Sequence, residues 1–315
     1  MDRRRFLAFA AAAPFALRAA LAAAAAGPRA LVTCDSQARL AVVDLAAARV
    51  VGHVPTLPDP RSIQLVGGHV VVCHTAAGAV TLLDARTLAV RHVLHGFGEP
   101  RYIAGHPDGR HAYVTDSAPS RVVAIDCATG RELGRLALSE WARHITIDPA
   151  GELLWVGLGT ASRRVALVDV RRPAEPRLRR LVQPPFRAHD VVFAPDGRRV
   201  WVTSGAANET AIYGAAGGLE RRLPADAPPQ HVAFAGGRVF VTSGDSRTCR
   251  VHDAAGGLLR TSPVPVGSYN VQNGPSRVIT PSLDNGALTV LDTQGTALAR
   301  IQVAPSCHDA CFLPA

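Results

Sequence analysis

Four of the twelve histidines, His144, His189, His231 and His308, stand in one setting: each lies one or two residues ahead of a short apolar run that reads as a β-strand. Imidazole is a common metal ligand, and several gathered at one point could bind Zn²⁺, Cu²⁺ or Fe²⁺. Asp190 and Asp309 accompany them in equivalent places, beside His189 and His308. Arg61, Arg101 and Arg143 hold the same positions in other segments. Their guanidinium groups suit a carboxylate or phosphate instead. Either chemistry requires that segments far apart in the chain meet.

The repeat structure shows how they could. "EPRYIAGHPDGRHAYVTD" (99–116), "WARHITIDPAGELLWVGL" (141–158) and "RAHDVVFAPDGRRVWVTS" (187–204) are copies of one pattern: an apolar strand, a turn ending in Gly, and a second apolar strand. Gly tolerates the positive φ of a tight hairpin turn, and alternating apolar residues are expected to give each strand one buried face. A third strand closes on Asp44, Asp84, Asp126, Asp169, Asp253 or Asp292, and a fourth follows. The equivalent third strand at 210–218 lacks the acid. These acids are expected to cap turns. Four strands per unit, repeated seven times at a period of about 40 residues, predict an all-β, seven-bladed β-propeller of four antiparallel strands per blade.

The C-terminal "HDACFLPA" (308–315) aligns with "HDVVFAPD" (189–196) and continues, in pattern, into "GPRALVTCD" (27–35). The first blade is therefore predicted to take its innermost strand from 307–315 and its outer three from the N-terminal end, which closes the ring without a free edge.

In such a ring the inner strands line a central channel. The residue just before each inner strand's first apolar position is Ser62, Tyr102, His144, Asp190, His231, Asn270 or Asp309; the one before that is Arg61, Arg101, Arg143, His189, Gln230, Tyr269 or His308. Every one is polar or aromatic in a chain that is 48% hydrophobic. The candidate ligand-binding residues are Arg61, Arg101, Tyr102, Arg143, Asp190, Tyr269 and Asp309, and the candidate metal ligands are His144, His189, His231 and His308. Two other readings stand beside these: structural hydrogen bonding at the channel mouth, and a protein-binding face. Neighbouring columns on a regular strand point to opposite sides, so they are not expected to face the axis equally. The ends of the second strands add Cys34, His74, Asp116, Ser204 and Ser243 to the same mouth. Hairpin symmetry sets Cys34 opposite Asp309, so a disulfide to Cys307 or to Cys311 would lock the closure, with a free thiol or a metal thiolate as the rival.

Residues 1–26 have a basic start, an apolar stretch and an Ala-rich end, the layout of a cleaved export signal. Within it, Arg3-Arg4-Arg5-Phe6-Leu7 resembles the twin-arginine motif, which implies export of a folded protein to the periplasm or beyond, with the propeller domain at 27–315. No stable membrane span is expected after cleavage. The formal charge of +9 does not point to nucleic acid, because all 34 basic residues are Arg and they are scattered. Neither a Gly-x-Ser-x-Gly elbow, nor a phosphate-binding Gly-Lys loop, nor a haem-attachment Cys-x-x-Cys-His occurs.

Tyr113-Val114-Thr115-Asp116 after "PDGRHA" resembles the Tyr-Val-Thr-Asn tetrapeptide of the YVTN family of β-propeller repeats, with weaker copies at 31–34, 201–204 and 240–243. The resemblance implies an exported seven-bladed propeller, while related seven-bladed folds include lactonases and cofactor-dependent dehydrogenases. The expectation is a non-catalytic monomer that binds a small ligand, a transition metal or an envelope protein at its mouth. The alternative is a metal-assisted or lactonase-like hydrolase or lyase that uses the His/Asp cluster.

Overall fold

The computed structural model describes residues 27–159 and 162–314, so the expected export signal at 1–26 lies outside the described residues. Seven four-stranded antiparallel sheets follow one another around a ring. Blade 1 pairs Ala310–Phe312 with Arg29–Cys34, followed outward by Arg39–Asp44 and Arg49–Pro55. The register Ala30↔Phe312, Leu31↔Cys311 and Val32↔Ala310 joins the two ends of the chain, as the alignment predicts. Blades 2 to 7 begin with inner strands Pro60–Val66, Pro100–Gly105, Ile145–Ile147, Ala188–Phe193, Val232–Ala235 and Gln272–Asn273. The single short helical element among the described residues is a 3₁₀ turn at Asp35–Gln37. No helix there is long and apolar enough to cross a membrane.

The apolar surface is divided among seven layers, one between each pair of adjacent blades, rather than gathered in one centre. A second strand such as Arg199–Ser204 is therefore buried on both faces, and the expectation of one buried face per strand holds for neither second nor third strands. This is why they read as continuous runs such as "VWVT" instead of alternating. The outermost strands face water, and Arg177–Val182 is exposed along nearly its whole length. In all seven blades the pairing of third and fourth strands shifts register by a bulge, which adds twist to each sheet. The closing acids cap turns as expected: Asp126, for example, accepts from the backbone N–H of Ala128 and Thr129. In the three hairpins that reveal the repeat, Gly109, Gly151 and Gly197 adopt φ of +68°, +75° and +66°.

Candidate metal centre at the channel mouth

What aims the two polar columns is a bulge. In blades 2, 3 and 5 the inner-strand register jumps from Pro60↔His74 to Ile63↔Val72, from Pro100↔Asp116 to Ile103↔Val114, and from Ala188↔Ser204 to Val191↔Val202. Two residues, such as His189 and Asp190, thus oppose one. Blades 1, 4 and 6 show the same geometry in their hydrogen bonds: Gly157 donates to the carbonyl of His144 (2.8 Å) and accepts from the N–H of Arg143 (2.9 Å). Released from the regular pleat, the bulge residues are freed from strict alternation, which eases the conflict expected of neighbouring columns.

A bulge leaves one inner-strand N–H without a ladder partner, and the Thr of the repeated Val-Thr supplies it. Thr115 Oγ1 accepts from the N–H of Tyr102 (3.0 Å) and donates to the carbonyl of Arg143 in the next blade (2.5 Å). Thr33 does the same between Asp309 and Arg61, Thr203 between Asp190 and Gln230, and Thr242 between His231 and Tyr269. Cys73, Gly157 and Pro281 stand at this place in blades 2, 4 and 7, so the clamp is missing there. Thr115→Val keeps the shape but orphans a buried donor and acceptor; unfolding in urea should show a loss of about 1–3 kcal/mol, whereas an unchanged midpoint would refute the clamp.

The second column, Arg101 excepted, lines the mouth, and the first, His144 excepted, lines the channel beneath it. A mouth cavity of about 240 Å³ is walled by Arg61, Arg143, His189, Gln230, Tyr269 and His308, while Ser62, Asp190 and Asp309 line a separate channel cavity of about 280 Å³. Tyr102, His231 and Asn270 border both cavities. Arg101 does not line the mouth cavity; it pairs with Glu99 at 3.3 Å.

Three of the four candidate histidines converge. His144, His189 and His231, from consecutive blades, each offer a ring nitrogen, and these nitrogens lie within 4.8 Å of one another. The ring centroids of His144 are 4.4 Å from His189 and 4.9 Å from His231, and Tyr102 covers His144 at 4.0 Å. His308 lies apart from the trio, with its carbonyl accepting from Asn270 Nδ2 at 2.6 Å.

Burial, and then the neighbouring histidines and Arg143, hold the His144 and His189 imidazoles well below their ordinary pKa; burial and Arg61 do the same to His308. His144 is 1% exposed, and neither of its ring nitrogens has a hydrogen-bond partner. A neutral imidazole has one donor and one acceptor, so both are unsatisfied.

The two acids have structural partners. Asp190 accepts from the N–H of Val191 (2.9 Å) and, across the blade boundary, from Val232 (3.1 Å). Asp309 accepts from Ala310 (2.8 Å) and from Ile63 of blade 2 (3.2 Å), with Gln272 and Ser62 adding bonds. Burial nevertheless raises the Asp309 carboxyl to about 6, with these donors opposing the rise. Asp190 also sits 3.5 Å from Nδ1 of His231. Tyr269 donates its hydroxyl to Asp245 at 2.7 Å.

The second-strand ends serve the loops. Asp116 accepts from the N–H groups of Gly98 and Glu99 and pairs with Arg121, and Ser204 accepts from Ala206 and Ala207. Ser243 donates to the carbonyl of Asp226, and His74 bonds to Thr56. All six cysteines are buried free thiols. Thr33, not Cys34, lies opposite Asp309, a shift of one residue caused by the bulge. The Cys34 and Cys307 thiols share the layer between blades 7 and 1, where they donate to the carbonyls of Val32 (3.8 Å) and Gly286 (3.4 Å). Cys311 faces the opposite layer, between blades 1 and 2, so it is not placed to bond with Cys34.

One participant escaped sequence reasoning. Trp141 lies under two arginine guanidiniums, its ring centroid 5.2 Å from Arg101 Cζ and 5.7 Å from Arg143 Cζ. Its closest sequence signal is a Trp two residues ahead of Arg143. Gly159, at φ +78°, passes so near the indole that a Cβ would approach Trp141 Cε3 to 3.1 Å.

No protein-family model matches the chain, and no curated protein matches it in sequence. Among solved structures it is similar to a functionally unknown protein from Desulfotomaculum acetoxidans, with a TM-score of 0.79 at 13% identity over 90% of this chain and 98% of that one. It is also similar to a Bacteroides uniformis protein provisionally described as a 6-phosphogluconolactonase, with a TM-score of 0.77 at 13% identity over 91% of this chain and all of the other. A third, hydrazine synthase from Kuenenia stuttgartiensis, has a TM-score of 0.68 at 16% identity over 80% of this chain and 89% of that one. At these identities the likeness establishes one thing: the chain is a seven-bladed β-propeller.

Proposed function

We propose that this is an exported, periplasmic propeller that binds one transition-metal ion at the channel mouth through His144, His189 and His231, and through it a small ligand. The observation that carries the reading is His144, buried with both ring nitrogens unpartnered beside the imidazoles of His189 and His231. Leaving such groups dry and unpaired is costly, and a cation that accepts a nitrogen lone pair removes part of that cost. The nearby carboxylate fits the same reading. With Asp190 3.5 Å from His231 Nδ1, a proton on that nitrogen would leave Nε2 free for metal, the usual carboxylate–imidazole–metal order. Three nitrogen ligands leave a coordination position open, as in sites where a metal receives a ligand or substrate.

A metal-assisted hydrolase is the second reading, supported by that open position and by Tyr102, whose ring lies against His144. Binding without catalysis is favoured because Asp190 and Asp309, the acids of the two columns, are already committed to backbone N–H groups.

Titration calorimetry of metal-free mature protein with Zn²⁺ should give one equivalent per chain. His189→Ala and His231→Ala should each weaken binding by about 100-fold or more, since each removes one of three ligands. Zn²⁺ binding of equal strength in both variants would eliminate the proposed centre.

A further inference from the structure

Resting on the three-histidine centre, we infer that the open coordination position takes a small oxyanion, a carboxylate or phosphate group clamped by Arg143. Of the three arginines in the second column, Arg101 pairs with Glu99 and Arg61 with Asp59 at 3.6 Å. Among the described residues no carboxylate pairs with Arg143. Its guanidinium leans on Trp141 instead, and its buried Nε has no hydrogen-bond partner. Stacking on an indole fixes the plane of a guanidinium and leaves its donors aimed elsewhere.

Arg143 lines the same cavity as His189 and His231. Imidazoles carry no negative charge, so those of His189 and His231 leave the guanidinium uncompensated. A divalent ion would add to the excess. The acids nearby are engaged: Asp190 accepts two backbone N–H groups, and Asp245, on the cavity wall, accepts the Tyr269 hydroxyl. An anion that bridges metal and guanidinium answers both charges at once, with the bidentate geometry Arg favours. The cavity, about 240 Å³, lies below the range typical of drug-sized ligands, roughly 300–1,000 Å³, so the oxyanion belongs to a small molecule.

Co²⁺ in place of Zn²⁺ makes the test visible, because its absorption bands report its ligands. Co²⁺-loaded protein is titrated separately with inorganic phosphate, acetate and succinate, the arms that separate phosphate from carboxylate. At least one anion should shift the bands saturably. Arg143→Gln should weaken that anion by about 10-fold or more (about 1.4 kcal/mol per decade) while leaving Co²⁺ affinity within about threefold, and Arg143→Lys should fall between. Thermal melts verify that both variants are folded. Co²⁺ binding with no spectral response to any anion, or an anion affinity unchanged in Arg143→Gln, overturns the oxyanion site alone. Failure to bind Co²⁺ overturns the histidine centre and this site with it.

Discussion

Deletion of residues 306–315 is expected to abolish cooperative folding, giving protein that aggregates or is degraded. The segment carries the inner strand of blade 1, and its loss exposes the edge of Arg29–Cys34. It strips Cys307 and Ala310 from one inter-blade layer and Cys311 and Leu313 from the next. It also removes Asp309, whose carboxylate ties blade 1 to Ile63 of blade 2. Burial of a medium-sized apolar side chain contributes about 1.5–3 kcal/mol. Losing several, with a strand's ladder, rivals the whole stability of a domain, about 5–15 kcal/mol. Asp309→Asn, which keeps the strand but weakens the tie, should fold with a lower melting temperature. A truncated chain that melts like the intact protein would contradict ring closure by the two ends.

His144→Leu should stabilise the metal-free protein while eliminating metal binding. Each orphaned buried nitrogen costs about 1–3 kcal/mol, so an apolar side chain of similar size should raise the stability of the metal-free form by a comparable amount in urea unfolding. Such opposition between stability and function is common where a site awaits its ligand. The pH dependence follows from the same burial. Above 6.5, the ordinary value, His144 is neutral in folded and unfolded chains alike and contributes no slope. As pH falls below 6.5 the unfolded chain takes up a proton that the fold refuses, so stability declines until the depressed folded value is reached. His189 and His308 act in the same direction. Asp309 acts oppositely: raised from 3.8 to about 6, it favours the fold at low pH and loses that contribution as pH rises through about 6. Three imidazoles against one carboxyl predict a net loss on acidification, and His144→Leu should make the decline shallower. A variant less stable than the parent in the absence of metal, or one that still binds Zn²⁺, would refute this account of His144.

The ring itself was legible because the repeat is written in turns and runs: "PDG" hairpins, closing acids, and a C-terminal "HDACF" that matches "HDVVF" in blade 5. Its closure needed no side-chain detail, just the count of strands. The two polar columns could also be read, yet not the bulge that frees them from strict alternation, since a bulge is a property of pairing rather than of residue type. The role of Thr in the repeated Val-Thr was hidden for the same reason; its hydroxyl matters because a neighbouring N–H has lost its ladder partner. Histidine at the column positions suggested four ligands, but the ring diameter and the packing of each blade decide which rings meet. Only the three from consecutive blades do so, while His308 turns to Asn270. Asp190 and Asp309, chosen by type as ligands, are held by backbone donors that no linear pattern reveals.

The claim on which the functional account depends is that three imidazoles from blades 4, 5 and 6 hold one metal ion. Anomalous diffraction at the zinc edge from crystals of the mature protein grown with one equivalent of Zn²⁺ tests it directly. The account predicts one strong peak within bonding distance of nitrogens from His144, His189 and His231. An empty mouth, with the zinc held instead by the half-buried His106 and His111 beside Asp108, would contradict it.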